Sequence, residues 1–177
     1  MKQKINEGVF IALAIISLWG ILETRWLRNS PDYLLSFEIS LATLIIMAAA
    51  HLILANRLKN GRETVVSDFK DEIRRLPTTA LKAASEEMIF RGMITYLIAY
   101  AAGPSYGIVF GTLLFALVHK ESDHFTIVYS IAMGLGLGFC VVYARDLFFP
   151  ILAHIIFNVL GGSIKTINKK EKDVIIK

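Results

Sequence analysis

The chain predicts an all-α, polytopic integral membrane helix bundle, with about six transmembrane helices, a cytoplasmic interfacial helix and both termini cytoplasmic. Three observations carry that expectation. Of 177 residues, 55% are hydrophobic and only 19% charged, where a soluble domain carries about 25% charged residues. The apolar residues gather into six runs of helical length. The basic residues collect between alternate runs.

The runs cover residues 9–22, 33–55, 83–102, 105–119, 124–143 and 148–164. Lys2 and Lys4 precede the first run as in a secretory signal, but Trp19-Gly20-Ile21-Leu22 follows it in place of a small-residue cleavage site, which predicts an uncleaved helix. Residues 56–82 form the long polar stretch. Within it Val65, Val66, Phe69, Ile73 and Leu76 alternate with charges, a pattern that predicts a helix lying on the membrane surface. Pro77 is expected to end that helix, and Thr78 or Thr79 to cap the next. The chain then reads as one membrane domain, 1–177. It divides into two N-terminal helices (1–60), the interfacial helix (61–77), a four-helix core (78–164) and a basic tail (165–177). The single cysteine, Cys140, sits inside an apolar run, so no intrachain disulfide can form.

Charge sets the orientation. With six spans, one side holds the N-terminus, the 56–82 loop, Lys120 and the tail, which carry 15 of the 19 Lys and Arg residues. The other side holds Arg25, Arg28 and Arg145, and Arg91 lies inside the third run. The positive-inside rule places both termini in the cytoplasm. The net charge of +4 therefore reflects membrane orientation, and no nucleic-acid partner is expected.

Glu86 and Glu87 open the third run, with Arg91 one turn later. A charge at the centre of a membrane helix costs about 2.5–3.5 kcal/mol on insertion scales, so such groups are kept where they face protein or a water-filled cavity. The fourth run covers only about 22 Å at the helical rise and ends at His119, below the cytoplasmic interface. His154 and Asn158 are spaced i, i+4 and share a helix face. Glu87 and Arg91 have the same spacing and are expected to form a buried ion pair. That leaves Glu86 as a surplus carboxylate facing two histidines and an amide, the parts of a hydrolytic site. The glycines at 107, 111, 134, 136 and 138 are expected to serve close helix packing. His124 is expected to be solvated, and His51 has no evident partner. Counting depth places His154 about 9 Å and His119 about 22 Å from the external face. A shared site therefore requires a recessed turn at 145–150 or a tilted last helix, with the two side chains within about 12 Å.

The same residues resemble a family. Ser85-Glu86-Glu87-Met88-Ile89-Phe90-Arg91-Gly92 is similar to the Glu-Glu-x-x-x-Arg motif of the CAAX protease and bacteriocin-processing (CPBP, or Abi) family of intramembrane peptidases. Phe115-Ala116-Leu117-Val118-His119 is similar to its Phe-x-x-x-His motif, and Pro150-Ile151-Leu152-Ala153-His154-Ile155-Ile156-Phe157-Asn158 to its His-x-x-x-Asn motif. Gly134–Gly138 with Val142-Tyr143-Ala144-Arg145 resembles the stretch before that last motif. The resemblance covers about residues 78 to 162 and implies a compact, prokaryotic member. It implies Glu86 as general base, His119 holding the attacking water, His154 and Asn158 stabilising the oxyanion, and Glu87, Arg91 and Phe115 in support. The substrate it implies is a membrane-associated peptide or lipidated (CAAX-like) protein, cut at a site opening to the cytoplasmic side of the cell membrane. The family is also labelled metallopeptidase: Zn²⁺ would take Glu86, His119 and His154, although no His-x-x-x-His pair is present and no cofactor is required. A bacteriocin-immunity or regulatory binding protein would keep the same motifs with little activity. A proton-coupled transporter using the glutamates would show internal repeats, which this sequence lacks.

Overall fold

Every apolar run that falls among the described residues is helical. The computed structural model describes residues 30–57, 62–66, 69–119 and 124–168. The first apolar run, the tail beyond residue 168 and the side chain of His124 lie outside them.

Helix α1 (Tyr33–Arg57) begins where Asp32 Oδ1 accepts the Leu35 N–H at 3.0 Å, a side-chain N-cap. Ser36, Ser40, Thr43 and Met47 recur at helical spacing and are buried, whereas Leu34, Phe37, Leu41, Ile45 and Ile46 are exposed. This inverts the pattern of a soluble amphipathic helix: small polar groups face the bundle and large apolar ones face out.

Two short strands bracket the remaining helices, β1 (Arg62–Val66) and β2 (Ile164–Asn168). They pair antiparallel, with Arg62 opposite Asn168 and Val66 opposite Ile164. The helix expected over residues 65–76 therefore starts later than its apolar spacing suggests. Thr64, Val65 and Val66 are β-branched and favour extended backbone, and the strand that completes them lies about a hundred residues away.

Helix α2 (Phe69–Glu87) runs through Pro77, so the expected break there and the cap at Thr78 or Thr79 are corrected. The proline costs one backbone bond, on an exposed stretch where water can replace it. Thr78 does not cap a new helix: its hydroxyl donates back to the Arg75 carbonyl at 2.8 Å. After Glu87 the helix widens into a π-helical segment, Met88–Thr95, and tightens again as α3 (Tyr96–Ala102). Glu87, Thr95 and Tyr96 all keep right-handed helical dihedrals, so Phe69 to Ala102 is one continuous rod. Gly103, at φ 110°, ends it, and Pro104 opens α4 (Pro104–Val118) from a position where its missing N–H is no loss.

Helix α5 (His124–Phe139) likewise continues as a π segment, Cys140–Ala144. Arg145 then turns the chain in the left-handed region at φ 55°. Asp146 caps α6 (Phe148–Ser163): Oδ1 accepts the Phe148 N–H and Oδ2 the Phe149 N–H, both at 3.0 Å. Ser36 Oγ donates to the same Oδ2 at 2.6 Å, and the Asp32 N–H donates to the Ala144 carbonyl at 2.9 Å. The start of α1 is thereby bolted to the turn that launches α6.

The bundle closes on small residues. A Cβ on Gly111 would overlap Thr95, one on Gly107 would overlap Ala99, one on Gly134 would overlap Thr112, and one on Gly136 would overlap Thr43. These glycines serve backbone approach, as their spacing implies. Met47, Met133, Leu137 and Ala153 form the largest apolar core, at the junction of α1, α5 and α6. Cys140 is buried and free, its thiol donating to the Ser36 carbonyl at 3.6 Å. Among the described residues two helices are long and apolar enough to cross a bilayer, over Tyr33–His51 and Thr126–Ala144; α4 and α6 are apolar but shorter.

Candidate active site

The end of α2, the start of its π segment, the end of α4 and the middle of α6 converge on one polar cluster. Glu86, Glu87 and Arg91 come from the rod, His119 from the C-terminal end of α4, and His154 from α6. The apolar residues around them, Ile89, Phe90 and Phe115, form a small core of their own. Wide π turns recur at functional sites because they reaim side chains that a regular helix would stack. Here the widening begins at the residue after Glu87.

The two glutamates have separate environments. Glu87 is fully buried, its Oε1 3.2 Å from Arg91 Nη1. The same oxygen lies 2.7 Å from His154 Nδ1. An ionised carboxylate only accepts, so Nδ1 carries the proton and donates it to this bond. Arg91 is equally enclosed. The Arg91–Glu87 contact is coulombic without hydrogen-bond alignment, and neither terminal nitrogen of Arg91 has a hydrogen-bond partner among the described residues. Its Cζ lies 3.9 Å above the Phe115 ring centroid, a cation–π contact that returns part of the desolvation cost.

Glu86 stands at the rim. Its Oε2 is 3.6 Å from His154 Nε2 and its Oε1 is 3.8 Å from Lys82 Nζ. Both separations exceed hydrogen-bond length, so the carboxylate faces these groups without being tied to either. Lys82 was not singled out in the sequence, although its position four residues before Glu86 is the helical spacing that brings charges together.

Phe115 is the hub. Its ring contacts Phe90 edge-on at 5.2 Å, His119 at 4.7 Å and His154 edge-on at 6.0 Å. With both imidazoles that close to one ring, their centroids are at most 10.7 Å apart, inside the limit that a shared site requires. His119 Nδ1 donates to the Phe115 carbonyl at 2.9 Å, since a carbonyl only accepts, which leaves Nε2 as the free nitrogen. Asn158 is half-buried on α6, one turn beyond His154.

The supporting residues reach further than their spacing on one helix shows. Glu87 holds His154 in addition to the ion pair with Arg91 that the spacing suggested. His51 gains a partner that no spacing revealed, with Tyr129 Oη 3.3 Å from its Nδ1. Among the described residues no group of three or more His, Cys, Asp or Glu side chains is arranged to hold a metal ion. The Glu86, His119, His154 set expected for zinc is thus not gathered as ligands.

A bundle with an apolar exterior and a buried acid–base cluster fits the class of membrane-embedded proteins with an internal polar site. Residues 73–160 match the family model described as type II CAAX prenyl endopeptidase Rce1-like. Through that segment, which contains every residue of the cluster, the chain belongs to the CPBP family of CAAX endopeptidases. No match is found among curated proteins or among solved structures.

Proposed function

We propose that this chain is an intramembrane endopeptidase that hydrolyses a peptide bond in a membrane-associated or lipidated, CAAX-like peptide, from a site opening to the cytoplasm. The observation that carries the reading is the division of labour between the glutamates. Glu87 is consumed by Arg91 and His154, whereas Glu86 keeps a carboxylate at the rim, facing His154 Nε2. The family match supports the reaction class. The excess of basic residues on one side supports the orientation, six spans with cytoplasmic termini.

In the proposed reaction Glu86 takes a proton from a water held by His119 Nε2, and the water oxygen attacks the scissile carbonyl carbon. His154, anchored through Nδ1–H to Glu87 and carrying a second proton on Nε2, donates to the developing oxyanion, with the Asn158 amide as second donor. Collapse breaks the C–N bond, and Glu86 returns its proton to the leaving amine. Arg91, 3.2 Å from the same Glu87 oxygen, holds that carboxylate in place, so that His154 stays oriented. No external acid or base is needed.

The test uses purified protein in nanodiscs with S-farnesylated CAAX-type peptides. Wild type cleaves them, and Glu86→Gln lowers turnover at least about a hundredfold, within the usual range for a general base. Loss of the Asn158 donor in Asn158→Ala costs about 2.7–4 kcal/mol of barrier. If Glu86→Ala and His119→Ala leave the cellular phenotype intact at normal protein levels, the chain acts as a binding protein and not by hydrolysis.

A further inference from the structure

Lys82 is a strongly exposed charge in contact with this site: its side chain is 73% exposed while that of its partner Glu86 is 8% exposed. Its ammonium is 3.8 Å from Glu86 Oε1. An ion pair with one partner so open to solvent is weakly held, screened and costly in side-chain entropy. Nothing in the apolar core requires a lysine there, since its neighbours Ala83 and Ser85 supply the buried face of that turn. The ammonium is therefore poised over the base and free to exchange partners.

We infer that Lys82 is a substrate-anchoring residue that binds an anionic oxygen group, the free C-terminal carboxylate of the peptide being cut, and releases Glu86 Oε1 as it does so. The inference rests on the hydrolytic reading of the site. Lys82 lies four residues from Glu86, about 6 Å along the helix axis, and its flexible arm extends the reach beyond that. An extended peptide advances about 3.3–3.6 Å per residue, so a tail of two or three residues after the scissile bond places its carboxylate about 7–11 Å from the reacting carbon. To meet it, the exposed Lys82 arm swings outward from its position 3.8 Å from Glu86 Oε1. Two effects follow from one exchange. The substrate is measured from its end, which limits cleavage to short tails. The general base also loses its competing cation only when a substrate with a carboxylate is seated. A lipid phosphate could offer the same anionic chemistry, and the experiment separates the two sources.

The probe is a fluorescent S-farnesylated tetrapeptide made with either a free C-terminal carboxylate or a C-terminal carboxamide. Binding is measured on the Glu86→Gln protein, and turnover on Glu86-containing protein, in phosphatidylcholine nanodiscs with and without phosphatidylglycerol. The expected result is that the carboxylate peptide binds and reacts about tenfold or more better than the carboxamide, a ratio that reflects a charge-assisted contact. Lys82→Met brings that ratio to about one, mainly through KM, and Lys82→Arg keeps most of it. A merely structural lysine would lower both peptides alike. The proposal is overturned if Lys82→Met keeps the wild-type ratio. It is also overturned if the ratio is already near one and phosphatidylglycerol alters only the Lys82 protein, which assigns the contact to lipid. If the carboxylate preference in binding follows Lys82 while no protein cleaves either peptide, the anchor stands and the hydrolytic reading falls.

Discussion

Replacing Glu87 by alanine probes the site and the bundle together. Glu87 and Arg91 stand 3.2 Å apart and are almost wholly enclosed. At an effective dielectric constant of about 20, the gross attraction at that separation is about 5 kcal/mol. Most of it offsets the desolvation of the two ions, so the pair adds little net stability while the loss of one member is severe, about 3–5 kcal/mol. The Phe115 face remains beneath the guanidinium and is worth up to about 2 kcal/mol to a desolvated cation, which puts Glu87→Ala near the lower end of that range. Adding Arg91→Met removes the stranded charge while filling its volume, and should recover about 2 kcal/mol. Hydrolysis should not recover with it, because His154 Nδ1 has lost its acceptor in both variants. Unfolding in mixed micelles titrated with SDS reads stability, and turnover of the farnesylated peptide reads function. A double variant no more stable than Glu87→Ala, or one that regains wild-type turnover, refutes the assignment of Glu87 to both partners.

Other substitutions separate packing from chemistry. Glu86→Gln keeps the side-chain volume and breaks no hydrogen bond, since Lys82 and His154 both lie beyond hydrogen-bond distance, so it should cost less than about 1 kcal/mol while hydrolysis is lost; micelle unfolding and peptide turnover on the same preparation check this. Gly111→Ala drives a methyl into Thr95 and should cost about 1–3 kcal/mol, and Thr95→Ala in the same chain should recover part of it in the SDS titration. Asp146→Ala removes the cap of α6 and leaves the Ser36 hydroxyl without its acceptor, for a loss of about 1–3 kcal/mol. Ser36→Ala in that background should add little further, a coupling that a double-mutant cycle measures directly.

The helical elements were legible because hydrophobic clustering is local. The runs at 33–55, 105–119 and 148–164 coincide within a residue or two with α1, α4 and α6. The ion pair of Glu87 with Arg91 was legible for the same reason, being set by spacing on one helix. The strand pair was not, because Val65 and Val66 alternate with charges as an amphipathic helix would, and their partners Lys165 and Ile164 come from the far end of the chain. Pro77 misled because its cost depends on whether the freed carbonyl can reach water, which only the fold decides. The bond from His154 to Glu87 was equally hidden. Sequence placed both glutamates at the head of one helix, but the face each turns to α6 depends on crossing geometry and on the wide turn that follows.

That wide turn also bears on how the rod tolerates changes in length. In a regular helix each residue advances the facing direction by about 100°, so gaining or losing one residue swings everything beyond it. The Tyr96 N–H reaches back five residues to the Arg91 carbonyl, which is how a helix absorbs an additional residue without turning its far end. A deletion within Met88–Thr95 can be taken up by tightening this turn, leaving Glu86 and Glu87 toward α6 and Ala99 toward the glycines of α4. The same deletion a few residues earlier, between Thr79 and Ser85, would rotate the glutamates out of register with His154. Length variation along this rod is therefore expected to concentrate at one place, just after the pair of carboxylates it must keep in position.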